Sequence, residues 1–125
     1  MNVSEFYSFL KNDFPHKTTS KQDIALQLLA KFVLSTNKNE TFLLKGYAGT
    51  GKTTIVGSLV KNLSKAKKRS VLLAPTGRAA KVISNYSNQQ AFTIHKKIYF
   101  PKSEKGSVSF TLQQNKHRDT IFIVD

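Results

Sequence analysis

"GYAGTGKT", residues 46–53, is the stretch on which the reading of this chain turns. It fits the pattern G-x-x-x-x-G-K-[ST]. In that pattern glycines let the backbone take unusual angles and come close to an anion. Successive backbone N–H groups then form a concave nest for phosphate oxygens. Lys52 is placed to reach the β- and γ-phosphates of a nucleotide, and Thr53 offers its hydroxyl to Mg²⁺. A glycine-rich turn with an incidental lysine would share the letters, so the flanks matter. Before the loop, "TFLLKGY" (residues 41–47) is a short apolar run of the kind that forms a buried strand. After it, Ile55, Leu59 and Leu63 form one helical row, with Val56 and Val60 beside it. A strand, a phosphate loop and a helix whose positive end faces the anion make the expected unit.

Working outward, two more runs read as buried strands: "SVLLAP" (70–75), stopped by Pro75, and "TIFIVD" (120–125). "GRAAKVISNY" (77–86) reads as the helix between them. Strands that are apolar throughout and alternate with helices predict a parallel sheet covered on both faces. Toward the N-terminus, "VSEFYSFLKNDF" (3–14) is a short amphipathic helix broken by Pro15. "SKQDIALQLLAKFVL" (20–34) is a stronger one, with Thr19 as N-cap and Ile24, Leu28 and Phe32 as an apolar row. "AFTIHKKIYF" (91–100) fits either a helical turn or the start of a strand. "PKSEKGS" (101–107) reads as a turn, and the alternation of Val108, Phe110 and Leu112 as an edge hairpin strand.

Composition narrows the partners. Twenty Lys and Arg against seven Asp and Glu give a formal net charge of +13, a field that attracts nucleotides, nucleic acid or anionic membrane. Without cysteine there is no disulfide and no thiolate metal site. His16, His95 and His117 show no metal-ligand spacing. No apolar run approaches the ~18–20 residues of a membrane-spanning helix, and residues 1–14 lack a signal-peptide pattern. A cytoplasmic protein with no membrane partner is expected. The lysine run Lys65, Lys67, Lys68 and Arg69 reads as a solvated loop at the amino end of a strand, away from the ligand edge.

The loop, "APTGRAA" after the second strand, "TIH" at 93–95 and "TTSKQ" at 18–22 together resemble superfamily 1 DNA helicases. The likeness is strongest to the RecD-like branch, which moves five-prime to three-prime on single-stranded DNA. It covers residues 18–125 and implies an α/β fold: a RecA-like P-loop NTPase sheet with flanking helices, ending after the Walker B strand. Residues 1–17 are then an N-terminal helical extension. By this likeness Gly46, Ala48, Gly49, Thr50, Gly51, Lys52, Thr53 and Thr54 hold the phosphates of ATP. Thr53 and Asp125 hold Mg²⁺, and Lys52, Thr53 and Asp125 form the catalytic set. Gln22 reads the adenine edge, although Thr19 with Gln22 also fits a capping box that needs no nucleotide. Thr76, Arg78, Thr93 and His95 contact single-stranded DNA. For Arg78 the placement is suggestive, since a cation in the first turn of a helix opposes the helix dipole unless an anion is near.

The same likeness implies a spatial strand order of P-loop strand, Asp125 strand, 70–75 strand. It also implies partners beyond Asp125: a water-orienting Glu, a phosphate-stabilising Arg and a second motor domain. The chain is therefore expected to be a fragment that binds Mg-nucleotide with little or no turnover. Two competing readings are a small-molecule kinase and a non-catalytic nucleic-acid-binding module.

Overall fold

In a computed structural model, which describes residues 1–46, 51–104 and 106–125, the chain divides into two compact units, residues 1–69 and 70–125.

The first unit is helical. Helix α1 (Val3–Asn12) starts at Asn2, whose side chain accepts from the Glu5 amide at 2.8 Å. Helix α2 (Ser20–Leu34) starts at Thr19 with a complete capping box: Thr19 Oγ1 accepts from the Gln22 amide, and Gln22 Oε1 accepts from the Thr19 amide. Helix α3 (Lys52–Asn62) runs into a 3₁₀ turn, Leu63–Ala66. Helix α1 packs on both α2 and α3, and its Phe6 and Leu10 are fully buried. The residues that read as an appended extension are thus part of this core. Two polar bolts fasten α1 to α3. Ser58 Oγ donates to the Leu10 carbonyl at 2.7 Å, satisfying one of the last-turn carbonyls that a helix leaves unpaired. Asn62 Nδ2 donates to Asp13 Oδ2 at 2.6 Å and to the Ser58 carbonyl at 2.8 Å.

The buried row of α2 is not the one its sequence suggests. Leu26, Leu29, Ala30 and Val33 face inward, while Ile24 and Leu28 are 55% and 47% exposed. Helix α2 carries two apolar rows, and the partner helix α1 selects between them. Lys65 is exposed, as the solvated-loop reading expects, and its ammonium lies over the Phe9 ring at 4.4 Å.

Between α1 and α2, Asp23 accepts hydrogen bonds from the Tyr7 hydroxyl and from Gln27 Nε2 (2.9 Å), and pairs with Lys11 at 3.4 Å. These contacts, that of Tyr7 foremost, hold the carboxyl below the usual aspartate range despite partial desolvation. A depressed folded-state pKa gives stability that is present above the unfolded pKa, near 4, and lost as pH falls through the folded value. The urea midpoint of wild type should therefore fall more between pH 7 and pH 3 than that of Asp23→Asn. Parallel acid limbs would show that the cluster contributes nothing.

The second unit is α/β. Strand β1 (Arg69–Ala74), helix α4 (Gly77–Ser87), strand β2 (Ala91–Thr93), helix α5 (Ile94–Ile98) and strands β3 (Tyr99–Glu104), β4 (Ser107–Leu112) and β5 (Thr120–Val124) follow in order. A parallel three-stranded sheet has the order β2-β1-β5, with Leu72 opposite Ala91 and Ala74 opposite Thr93. Val71, Leu72, Leu73 and Ala74 are buried, as a continuously apolar strand requires. Helix α4 packs on β2. Strands β3 and β4 form a separate antiparallel hairpin turning at Gly106, whose φ of +79° suits glycine. The run 91–100, which fitted either a helical turn or the start of a strand, holds a short strand, one helical turn and the start of β3.

The expected order is met where β5 lies beside β1. It is not met at the run 41–47: its described residues, 41–46, form no strand, and Leu43 is 73% exposed. An apolar run becomes a strand only when a neighbour supplies ladder hydrogen bonds. None reaches residues 41–46 among the described residues. Phe42 instead packs against Phe32 of α2 in a tilted pair, ring centroids 5.7 Å apart.

Candidate functional site

Gly51 opens α3 in the left-handed conformation, φ +87°, and no side chain caps the helix there. Among the described residues no side chain takes up the first-turn N–H groups, one of which a Ser or Asp cap would have consumed. Lys52 is the first helical residue, followed by Thr53 and Thr54. The Lys52 ammonium donates to the Gly46 carbonyl, folding the side chain back over the start of the loop. Ala48, Gly49 and Thr50 lie outside the described residues.

The structure brings Gln22 to this loop. A Cβ built on Gly51 would press on Gln22 Nε2, so a side chain there would have to push that carboxamide aside. Gln22 is buried, with Oε1 committed to the Thr19 amide. The capping box is therefore formed, and it fixes the orientation of the same amide that the helicase likeness assigns to adenine.

In the second unit the remaining residues gather at the carboxyl edge of the sheet, where parallel α/β sheets bind ligands. Thr76 follows β1 and caps α4, accepting from the Ala79 amide at 3.1 Å. Thr93 ends β2 and caps α5, accepting from the Lys96 amide at 3.2 Å. Capping occupies an acceptor site on each hydroxyl and leaves its proton to donate, as a contact to phosphate requires. Arg78 is exposed in the first turn of α4. His95 is exposed on α5, with ring centroids 4.9 Å from Tyr99 and 4.5 Å from Phe110. Asp125 follows β5, and its amide donates to the Leu73 carbonyl at 3.0 Å. Burial, and then the nearby Asp125 charge, push the Tyr86 hydroxyl up to about 12, so it stays neutral. Lys52 and Thr53 belong to the first unit and Asp125 to the second.

The donor set suits Mg-nucleotide. Among the described residues no group of three or more His, Cys, Asp or Glu could hold a metal. Mg²⁺ does not need one, since it keeps several waters and takes one or two protein oxygens beside the phosphates. The Thr53 hydroxyl and the Asp125 carboxylate are each oxygen donors of the kind Mg²⁺ takes. No helix among the described residues is long and apolar enough to cross a membrane.

Tyr99 and Phe110 are the neighbours sequence reasoning missed. Their pairing with His95 depends on the hairpin register. The alternation at 108–112 was visible, but not what it would face.

A family model, AAA_19 (AAA domain), matches residues 30–125. The RecBCD enzyme subunit RecD of Buchnera aphidicola subsp. Acyrthosiphon pisum is 33% identical over 114 residues, covering 89% of this chain and 17% of that protein. The uncharacterized protein MJ1519 of Methanocaldococcus jannaschii is 33% identical over 98 residues, covering 74% of this chain and 8% of that one. The chain thus spans less than a fifth of either relative. No solved structure matches it significantly. With its glycine-opened helix α3, its parallel sheet and a family match from residue 30 to its last residue, the chain belongs to the AAA_19 family of AAA domains and is RecD-like within it.

Proposed function

We propose that this chain is the ATP-binding part of an ATP-dependent DNA helicase that couples hydrolysis to movement on single-stranded DNA in repair or recombination. The observation that carries the reading is the uncapped, glycine-opened start of α3 with Lys52 and Thr53 in its first turn and the Gln22 amide against Gly51. Lys52 exchanges the Gly46 carbonyl for the β- and γ-phosphates. Thr53 and Asp125 would hold Mg²⁺, which, when bound, offsets phosphate charge. Gln22, which bonds the Thr19 amide, meets the adenine edge through its carboxamide. Thr76, Arg78, Thr93 and His95 contact the DNA strand, whose phosphates the +13 charge attracts.

The test is a titration with a fluorescent ATP analogue, with and without Mg²⁺ and an oligothymidylate, and against GTP. Mg²⁺-dependent binding that favours ATP and responds to DNA is expected. Gln22→Ala should lower ATP affinity about tenfold and GTP affinity little, the difference being one or two hydrogen bonds to adenine. Equal losses for ATP and GTP would reduce Gln22 to its capping role. A small acceptor, but not DNA, altering nucleotide binding would favour a kinase.

A further inference from the structure

Gln22 meets Gly51 where the starts of α2 and α3 come together, and helix α1 packs on both of these helices. The first turn of α2 is closed on itself: the Asp23 amide donates to the Thr19 carbonyl at 2.9 Å, and Gln22 Oε1 accepts from the Thr19 amide at 3.0 Å. Helix ends fray, so such a turn keeps its place only when something outside the helix holds it. Asp23, the chain neighbour of Gln22, is the residue held. Its carboxylate accepts from the Tyr7 hydroxyl of α1. The Lys11 ammonium stands 3.4 Å from both groups, but its side chain is half exposed, and an ion pair of that kind contributes little.

At its other end α1 is fastened to α3. Ser58 Oγ donates to the Leu10 carbonyl and Asn62 Nδ2 to Asp13 Oδ2, and both Ser58 and Asn62 are buried. Phe6 and Leu10 press α1 onto its neighbours, but apolar burial is non-directional and tolerates small slips between helices. Hydrogen bonds have preferred lengths and angles and do not. A chain of directional contacts therefore runs from the turn of Gln22 through Asp23 and Tyr7 into α1. It continues from the carboxyl end of α1 into α3, whose first residues are Lys52 and Thr53.

We propose that Tyr7 and Asp23 are positioning residues for base selection: through the first turn of α2 they set the distance between the Gln22 carboxamide and the phosphate-binding start of α3. This rests on the reading of Gln22 as the adenine contact and deepens it. Base and phosphates of a nucleotide are joined by a ribose of fixed size. A carboxamide that slips along α1 therefore loses the base while Lys52 keeps the phosphates. Affinity for ATP then falls toward that for GTP, and affinity for the phosphates alone stays where it was.

Tyr7→Phe removes the hydroxyl and keeps the ring. The probes are ATP and GTP carrying an N-methylanthraniloyl group on the ribose, and inorganic tripolyphosphate as competitor, with the full chain and Mg²⁺. Tyr7→Phe and Asp23→Ala should each weaken ATP binding about fivefold, roughly the worth of one hydrogen bond, and leave GTP and tripolyphosphate binding in place. Asp23→Asn keeps an acceptor for the Tyr7 hydroxyl and should retain the wild-type preference. In the Gln22→Ala background Tyr7→Phe should have no further effect on ATP, because the group it positions is gone. Equal losses for ATP, GTP and tripolyphosphate in Tyr7→Phe, or a continued loss of ATP affinity after Gln22→Ala, would make the contact a general structural one and overturn the proposal. A preference for ATP that survives Tyr7→Phe but is lost in Gln22→Ala would overturn it and leave the adenine reading intact. A preference that Gln22→Ala does not touch would overturn the adenine reading and this inference with it.

Discussion

Replacing Lys52 with alanine is expected to weaken ATP binding about ten- to hundredfold while leaving the unfolding midpoint nearly in place. The affinity estimate follows from losing charge-assisted hydrogen bonds to phosphate, each worth roughly 1.5–3 kcal/mol. The stability estimate follows from what Lys52 does without nucleotide. Among the described residues its ammonium bonds the Gly46 carbonyl, outside the packed core of α1, α2 and α3. Lys52→Arg is not a safe control, because a planar guanidinium does not reproduce a compact ammonium at a tight loop. Gly51→Ala completes the pair. It should lower affinity as much as Lys52→Ala, but also cost stability, since φ +87° strains any side chain and the new Cβ meets Gln22. Calorimetric titration separates the two. If Lys52→Ala bound ATP like wild type, residues 46–53 would be a glycine-rich turn and no more.

The second large effect is on stability. Phe6→Ala should destabilise the chain by about 3–5 kcal/mol, the usual loss for emptying a buried aromatic site. Single domains have roughly 5–15 kcal/mol in total, so the midpoint should fall by more than about 10 °C. Ile24→Ala is the informative partner. It sits in the apolar row that periodicity picks out on α2, yet its side chain is 55% exposed, and surface changes of that kind stay within about 0.5 kcal/mol. Comparable losses from the two variants, by thermal or urea unfolding, would place Ile24 in the core and refute the packing of α1 on the Leu26, Leu29 and Val33 face. The same result would reopen residues 1–17 as a detachable extension.

How far the sequence could be read depended on how local each cause was. Helices α1, α2 and α4 were legible because caps, breaks and periodicity are short-range: Thr19 with Gln22, the break at Pro15, the strand stop at Pro75 before α4. Strands β1 and β5 were legible because branched apolar runs bounded by turn residues have few other solutions. The run 91–100 was not, because three residues of strand followed by one helical turn lie below the length at which periodicity means anything. Residues 41–46 mark the opposite failure: local preference favoured a strand, and no ladder partner among the described residues completes one.

The candidate site divides in the same way. The loop pattern at 46–53 stands in the letters, because phosphate chemistry restricts which residue types serve at which spacing, whereas the roles of the acidic residue ending an apolar strand and of the Thr-x-Arg and Thr-x-His pairs were read from the likeness to superfamily 1 helicases. The packing of the Gln22 amide onto Gly51, the polar bolts from Ser58 and Asn62 to α1, and the meeting of His95 with Tyr99 and Phe110 do not. Each joins residues whose contact is set by how elements pack or by strand register, and no local preference encodes either. By itself, then, the sequence determined the kinds of element and the chemistry they carry, since these depend on covalent geometry and near neighbours. Only the tertiary structure decided which face of each element is buried and which side chains share a site, since burial is settled by the surface that arrives to exclude water.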